Sequence, residues 1–94
     1  MGFTYILCSR PGGALYVGAA TDLQRRVEQH RAKTVPGHTA RYGIVRLVWF
    51  ETHASIEDAR CREHSIKRWR RAWKDALVNE LDPGWADLAD GIPD

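Results

Sequence analysis

The apolar positions of this 94-residue chain change period several times. Phe3 to Cys8 (FTYILC) is almost continuously apolar and reads as a short strand. Leu15 to Gly18 follows after Arg10-Pro11-Gly12-Gly13, whose composition is that of a loop. Two short strands around such a loop predict a hairpin. Sorting the apolar residues predicts its register: Tyr5 faces Tyr16, Ile6 faces Leu15 and Thr4 faces Val17. Both phenols then share one face as direct cross-strand neighbours, and a slip of one residue would part them.

Thr21-Asp22-Leu23-Gln24 is a capping-box pattern and predicts a helix running to His30 or Arg31. Leu23 and Val27 face the core, and Arg26 and His30 lie one turn apart on an adjoining face. Gly18-Ala19-Ala20 is small enough for a ligand to approach the backbone, and the helix N-terminus behind it favours anions. Residues 32–43 are loop-like. Ile44 to Glu51 predicts a third strand, with Val45, Leu47 and Trp49 on one face and Ile44, Val48 and Phe50 largely on the other. Being apolar on both faces, it is expected at the centre of the sheet.

Ser55, with Asp58 three places on, opens a second helix. Its apolar stripe reads Ile56, Ala59, position 63, Ile66 and Trp69. Position 63 is Glu63, a carboxylate where the period expects an apolar side chain. Burying that charge is costly unless a cation or hydrogen bonds compensate it. A nearby arginine is the plain structural explanation, and a ligand is the other. Arg71-Ala72-Trp73 either breaks this helix or continues it. Leu77, Val78 and Leu81 extend the amphipathic pattern, Asp82-Pro83-Gly84 ends it, and Trp85 and Leu88 are expected to pack the end of the chain back. The pattern predicts one α+β domain over residues 1–88 and a frayed acidic tail over 89–94.

Hydrophobic residues make up 44% of the chain, a normal share for a folded domain, and no apolar run is long enough for a membrane helix. The opening MGFTYILCSR has a short apolar run without a basic leader, which argues against a secretory signal, and Ile6 argues against myristoylation. Cys8 and Cys61 have no zinc-type spacing, so two free thiols in a cytoplasmic protein are expected. The net charge of +2 hides a division. Residues 1–74 hold all 14 Lys and Arg against 6 acids, a net +8, while residues 75–94 hold the other 6 acids, a net −6. A basic body points to a polyanionic partner, or else to a solvated basic face.

The ordered set of short motifs is more specific than any one of them. Phe3-Thr4-Tyr5 and Tyr16-Val17-Gly18 are followed by Thr21-Asp22-Leu23, Arg26 and His30, then by Leu47-Val48-Trp49-Phe50-Glu51. Further on come Arg62-Glu63-His64-Ser65-Ile66-Lys67-Arg68-Trp69, Arg70-Arg71-Ala72-Trp73-Lys74 and Asp82-Pro83-Gly84-Trp85. Over nearly its whole length the chain resembles the small stand-alone bacterial domains of the GIY-YIG nuclease family. The resemblance implies a three-stranded antiparallel sheet flanked by helices. It also implies hydrolysis of phosphodiester bonds in DNA with one divalent metal, Mg2+ or Mn2+. Carried over by position, Tyr5 and Tyr16 are the signature tyrosines, Arg26 the helix arginine, His30 a helix histidine found in part of the family, and Glu63 the metal-binding glutamate. Two positions depart from the family. The first signature reads FTY rather than GIY, and Asp82 stands where Asn is common. An ionised Asp accepts hydrogen bonds but does not donate them.

Such chemistry needs an activated water, neutralised phosphate charge and a stabilised leaving oxygen. A cation held by Glu63 would serve the last two, and Arg26 can fork two hydrogen bonds to phosphate. A free tyrosine has a pKa of about 10 and is a poor base at neutral pH, but neighbouring cations favour phenolate. Tyr5 is expected as the base with Tyr16 orienting the water or phosphate, or the two exchange roles. His30 is expected to polarise a tyrosine or bind phosphate. Arg41, Lys67, Arg68, Arg70, Arg71 and Lys74 are expected to follow a nucleic-acid backbone in a salt-sensitive way, with Tyr42 near Arg41. Trp69 and Trp73, beside an apolar stripe, read as core, with base stacking the alternative. His38, His53 and His64 show no ligand spacing. DNA is preferred to RNA as substrate, in branched, flapped or damaged form, with self-association or a protein partner helping to hold it. The rivals are a non-catalytic module on the same fold, an RNA-directed module, and a plain interaction domain.

Overall fold

The computed structural model describes residues 1–32 and 43–93; His38, Arg41 and Tyr42 lie outside the described residues. Three strands, β1 (Gly2–Cys8), β2 (Leu15–Ala20) and β3 (Arg46–His53), form an antiparallel sheet in the order β2-β1-β3. Helix α1 (Leu23–Arg31) follows β2, while α2 (Ile56–Lys67) and α3 (Arg71–Leu81) follow β3, and a short 3-10 turn spans Ala89–Gly91. This is the α+β architecture expected from the pattern.

The central strand is β1, every residue of which is buried. The pattern had put β3 there, but β3 lies at an edge and is apolar on both faces because helices cover both. One face carries Phe3, Tyr5, Leu7 and Leu47 against Leu23 and Val27 of α1. The other carries Ile6, Val17, Val48 and Trp49 against Ile66 of α2 and Val78 of α3. A register shift between Ile6 and Leu7 breaks the alternation of β3: Ile6 pairs with Trp49 and Leu7 with Leu47, so Val48 is the extra residue. Val48 and Trp49 therefore share a face that strict alternation denied them. At this bulge Leu88 N–H bonds to Leu47 O (2.8 Å), covering part of an otherwise open edge.

The hairpin register differs from the expected one by two residues. Tyr5 lies opposite Gly18 and Leu7 opposite Tyr16. An even shift keeps each side chain on its face, so the two phenols share one as diagonal neighbours. The turn makes the difference. Arg10 O accepts from Gly13 N–H (2.8 Å), Ser9 N–H bonds to Ala14 O (3.0 Å), and Gly12 has φ 74°, a conformation that glycine adopts without strain. The pairing also sets Tyr5 across from the one residue of β2 without a side chain. A Cβ at Gly18 would lie 2.5 Å from Tyr5 Oη and 2.9 Å from Tyr16 Cε2.

Both long-range helix starts are capped. Asp22 rather than Thr21 caps α1, accepting from Arg25 N–H (3.1 Å), and Ser55 caps α2 through Asp58 N–H (3.2 Å). The run from Ile56 to Leu81 breaks at residues 68–70. There Arg68 and Trp69 N–H bond three residues back, to Ser65 O and Ile66 O, and Arg70 turns extended before α3 begins. Beyond α3, the buried Asp82 accepts from Ala86 N–H (2.9 Å), and the Trp85 indole N–H donates to Asn79 Oδ1 (2.7 Å). The end of the chain is not frayed as expected through Ile92, because Leu88, Ala89 and Ile92 pack against the α1 face and Asp87 pairs with Arg31. Cys8 is buried, as the core reading expects, and burial pushes its thiol pKa up; Cys61 is exposed, and both are free.

Gly18→Ala is expected to destabilise the fold by about 1–3 kcal/mol, because its methyl group must displace a buried ring. Urea unfolding checks this; an unchanged midpoint would mean that the Tyr5 ring moves aside freely.

Candidate nuclease site

Four elements bring Tyr5, Tyr16, Arg26, His30 and Glu63 together. Tyr5 on β1 and Tyr16 on β2 place their rings 6.2 Å apart at 42°. The spacing within α1 sets Arg26 and His30 on the side that faces them. His30 is fully buried, its ring 5.3 Å from that of Tyr16 and 6.1 Å from that of Tyr5. Tyr5 Oη lies 3.2 Å from His30 Nε2, and the Arg26 guanidinium bears on it.

The electrostatics separate the two tyrosines. Tyr5 is fully buried, and burial pushes its pKa far above the usual tyrosine range. Tyr16 and Glu63 raise it further, while Arg26 opposes them. Tyr5 is therefore held protonated. Tyr16 is half-buried and lies towards solvent. Burial first, and then the Arg26 cation, lowers the pKa of His30 below its ordinary value, so the imidazole is neutral near pH 7.

Glu63 on α2 completes the site. Its charge bears on Tyr5, and its side chain is 21% exposed. The compensation that the sequence demanded comes from a lysine. Lys67 Nζ sits 2.5 Å from Glu63 Oε2 and 5.9 Å from the Tyr16 ring centroid. Sequence reasoning put Lys67 on the nucleic-acid backbone and overlooked this place, although the i,i+4 spacing to Glu63 was there to be read. Among the described residues no three His, Cys, Asp or Glu side chains cluster as a metal cage. A single carboxylate beside a flexible lysine would suit a hard cation that keeps most of its own waters, such as Mg2+.

A buried network fixes where Glu63 stands. Thr4 Oγ1 donates to Ala59 O (2.8 Å), one turn before Glu63, and lies 3.1 Å from His53 Nε2. His53 Nε2 and Arg62 Nε each lie 3.1 Å from Glu51 Oε1. These contacts tie α2 to β1 and β3. Beside the tyrosines, Ala20, Thr21, Asp22, Arg25, Arg26 and Gln29 line a polar recess at the start of α1. Arg26 belongs both to this recess and to the tyrosine cluster.

The other expected backbone contacts are dispersed. Arg68 and Arg70 are exposed, and Lys74 is half-buried. Arg71 is engaged with Asp75 (2.7 Å) and Gly13 O (2.7 Å). Asp82 lies in the turn after α3 and acts there as an acceptor; its Oδ2 is buried with no hydrogen-bond partner among the described residues.

Known proteins share this arrangement of sequence and fold. The family model described as the GIY-YIG catalytic domain matches residues 1–76. A UPF0213 protein of Haloquadratum walsbyi is 39% identical over 67 residues, covering 71% of this chain and 75% of that protein. A UPF0213 protein of Staphylococcus aureus strain Mu3 is 39% identical over 83 residues, covering 83% and 94%. The solution NMR structure of a UPF0213 protein from Bacillus halodurans superposes with a TM-score of 0.57 at 29% identity over 94% of both chains. The match spans all the elements that carry the site, and the chain belongs to the GIY-YIG catalytic domain family.

Proposed function

We propose that this protein is a divalent-metal-dependent endonuclease that hydrolyses phosphodiester bonds in DNA, directed by branched or flapped structure rather than by sequence. The observation that carries this reading is the convergence of Tyr5, Tyr16, Arg26, His30 and Glu63 from four elements in one cluster of side chains. Independent structural roles would not require five such side chains to meet. None of the helices among the described residues is long and apolar enough to cross a membrane, which fits a substrate in solution.

Each residue has a chemical task. Arg26, between the polar recess and the tyrosines, receives the scissile phosphate and neutralises charge that grows on its oxygens. Tyr16, half-buried and beneath the Lys67 ammonium, is the tyrosine that reaches a water and takes its proton. This is the exchanged assignment of the two roles. Tyr5, buried and held protonated, is a positioning residue that fixes Arg26 and passes its orientation to His30. Neutral His30 accepts from Tyr5 and holds the Tyr16 ring in place. Glu63 would hold the divalent cation, with Lys67 moving off its carboxylate toward the phosphate backbone. The cation supplies polarisation of the phosphate and stabilisation of the leaving oxygen. Asp82 acts on the turn after α3, where Oδ1 accepts from Ala86 N–H, and stands apart from the tyrosine cluster.

Glu63→Gln is expected to fold normally and to lose metal-dependent nicking by about 100-fold or more. Nicking of a supercoiled or flapped DNA with magnesium checks this, and undiminished nicking would remove Glu63 from the metal role. Tyr16→Phe is expected to lower the single-turnover rate by about 100-fold with little change in DNA affinity, as removal of a general base does. A rate unchanged in Tyr16→Phe would return the role to another group.

The lowered pKa of His30 makes stability depend on pH. The unfolded histidine takes a proton as pH falls through about 6.5, while the folded one resists until lower pH. The stabilisation is thus complete above about pH 6.5 and is lost as pH falls toward the folded pKa. In urea unfolding between about pH 7.5 and about pH 5, His30→Gln is expected to lose less stability than the native chain. Equal losses would show that the folded His30 protonates as readily as the unfolded one.

A further inference from the structure

The surface at the α2–α3 elbow carries an aromatic side chain that the reaction above does not use. Trp73 is 52% exposed; among the described residues only Met1 and Leu81 join it as exposed large apolar side chains, and neither is aromatic. The expected core role therefore fails for Trp73, while Trp69 packs half-buried against the α2–α3 face. The two indoles meet edge to face, with centroids 6.4 Å apart at 77°. Arg62 lies 5.3 Å from the Trp69 centroid, and Arg70 lies 5.0 Å from that of Trp73. Trp69 is thus clamped, and it braces an indole whose surface faces solvent next to a guanidinium.

Two contacts plant this elbow on the hairpin that carries Tyr16. Lys67, the last residue of α2, stands over the Tyr16 ring and on Glu63. Arg71, the first residue of α3, donates to Gly13 O in the turn of the same hairpin. Trp73 follows two residues after that anchor, on the same elbow and in contact with Trp69 and Arg70.

We infer that Trp73 and Arg70 form a stacking platform for an unpaired base of a single-stranded DNA segment that leaves the duplex beside the cleaved phosphate. The inference rests on the nuclease reading and names how such an enzyme would recognise a flap or branch. The charge around the indole specifies the occupant. Arg70 lies against it, Arg68 and Arg71 are exposed on the same elbow, and a nucleic-acid strand combines a polyanionic backbone with flat apolar faces. A paired duplex keeps its bases inside the stack, so an outward-facing indole meets only bases that are unpaired. The adjoining guanidinium takes the phosphate of the same nucleotide. Stacking of this kind tolerates any base, which suits structure-directed recognition.

The test uses the full native chain in chelator, where no cutting occurs. Anisotropy would compare a labelled duplex with the same duplex carrying a short single-stranded tail. The tail is expected to raise the affinity of the native chain about tenfold. Trp73→Ala should lose that gain while holding duplex affinity within about twofold, and Trp73→Phe should keep most of it. Quenching of the native tryptophan fluorescence by the tail, and not by the duplex, supports the inference without any variant. Equal affinity of the native chain for tailed and plain duplex would overturn it. So would a parallel loss on both DNAs in Trp73→Ala, or a change in sedimentation of that variant with binding untouched, which would make the patch a protein contact. Cleavage in magnesium keeps the two readings apart. Cutting that ignores Trp73 refutes the platform alone, and tail binding through Trp73 without cutting under any divalent metal refutes the nuclease alone.

Discussion

The fold and the site meet at one buried phenol. The Tyr5 ring lies across Gly18 on the neighbouring strand, and its hydroxyl ends between His30 Nε2 and the Arg26 side chain. A buried hydroxyl without partners would be costly, so the two residues of α1 cannot be elsewhere without loss of stability. The contact therefore sets the rotation of α1 on the sheet, and with it the direction of Arg26. It also makes the missing side chain at position 18 a structural requirement. The candidate site and the fold share this seam, so a change at Gly18 or His30 reaches both.

The second constraint acts on α2. A carboxylate on the inner stripe of a helix needs a cation, and Glu63 has Lys67. The arrangement is compensated but not closed, since Lys67 is a flexible surface side chain. On the proposed reading, the ammonium at this carboxylate holds the place that a divalent ion would take. The Thr4–Ala59 bond one turn earlier keeps the carboxylate at a fixed height over the sheet while its partner changes. Rigid support and an exchangeable counter-charge are what a single-carboxylate metal site needs.

Much of this was legible in the residues, and the misreadings have local causes. Element types followed from apolar period and caps. The identity of the clustered residues followed from the order of the short motifs. The hairpin register was missed by two because apolar sorting distinguishes faces, not even-numbered shifts, and the turn that decides between them depends on Gly12 and the Ser9 hydroxyl bonding Ala14 N–H. The position of β3 was misread because helices on both faces make an edge strand as apolar as a central one. Leu88 packs the chain end back as expected, and Ala89 and Ile92 continue that contact into the segment read as a terminal tail. Which of the two tyrosines is sealed was beyond reach, because local pattern says that both are strand aromatics and only packing separates buried Tyr5 from half-buried Tyr16. The same holds for Trp69 and Trp73, one helical turn apart and differently exposed on either side of the elbow.

The most direct measurement is a time course of the full chain on linear, nicked, flap and junction DNA with magnesium, manganese or chelator. The account predicts cutting of flap and junction DNA that starts with either metal and stops with chelator. Salt-sensitive binding of all four DNAs without a cut in any metal would contradict it.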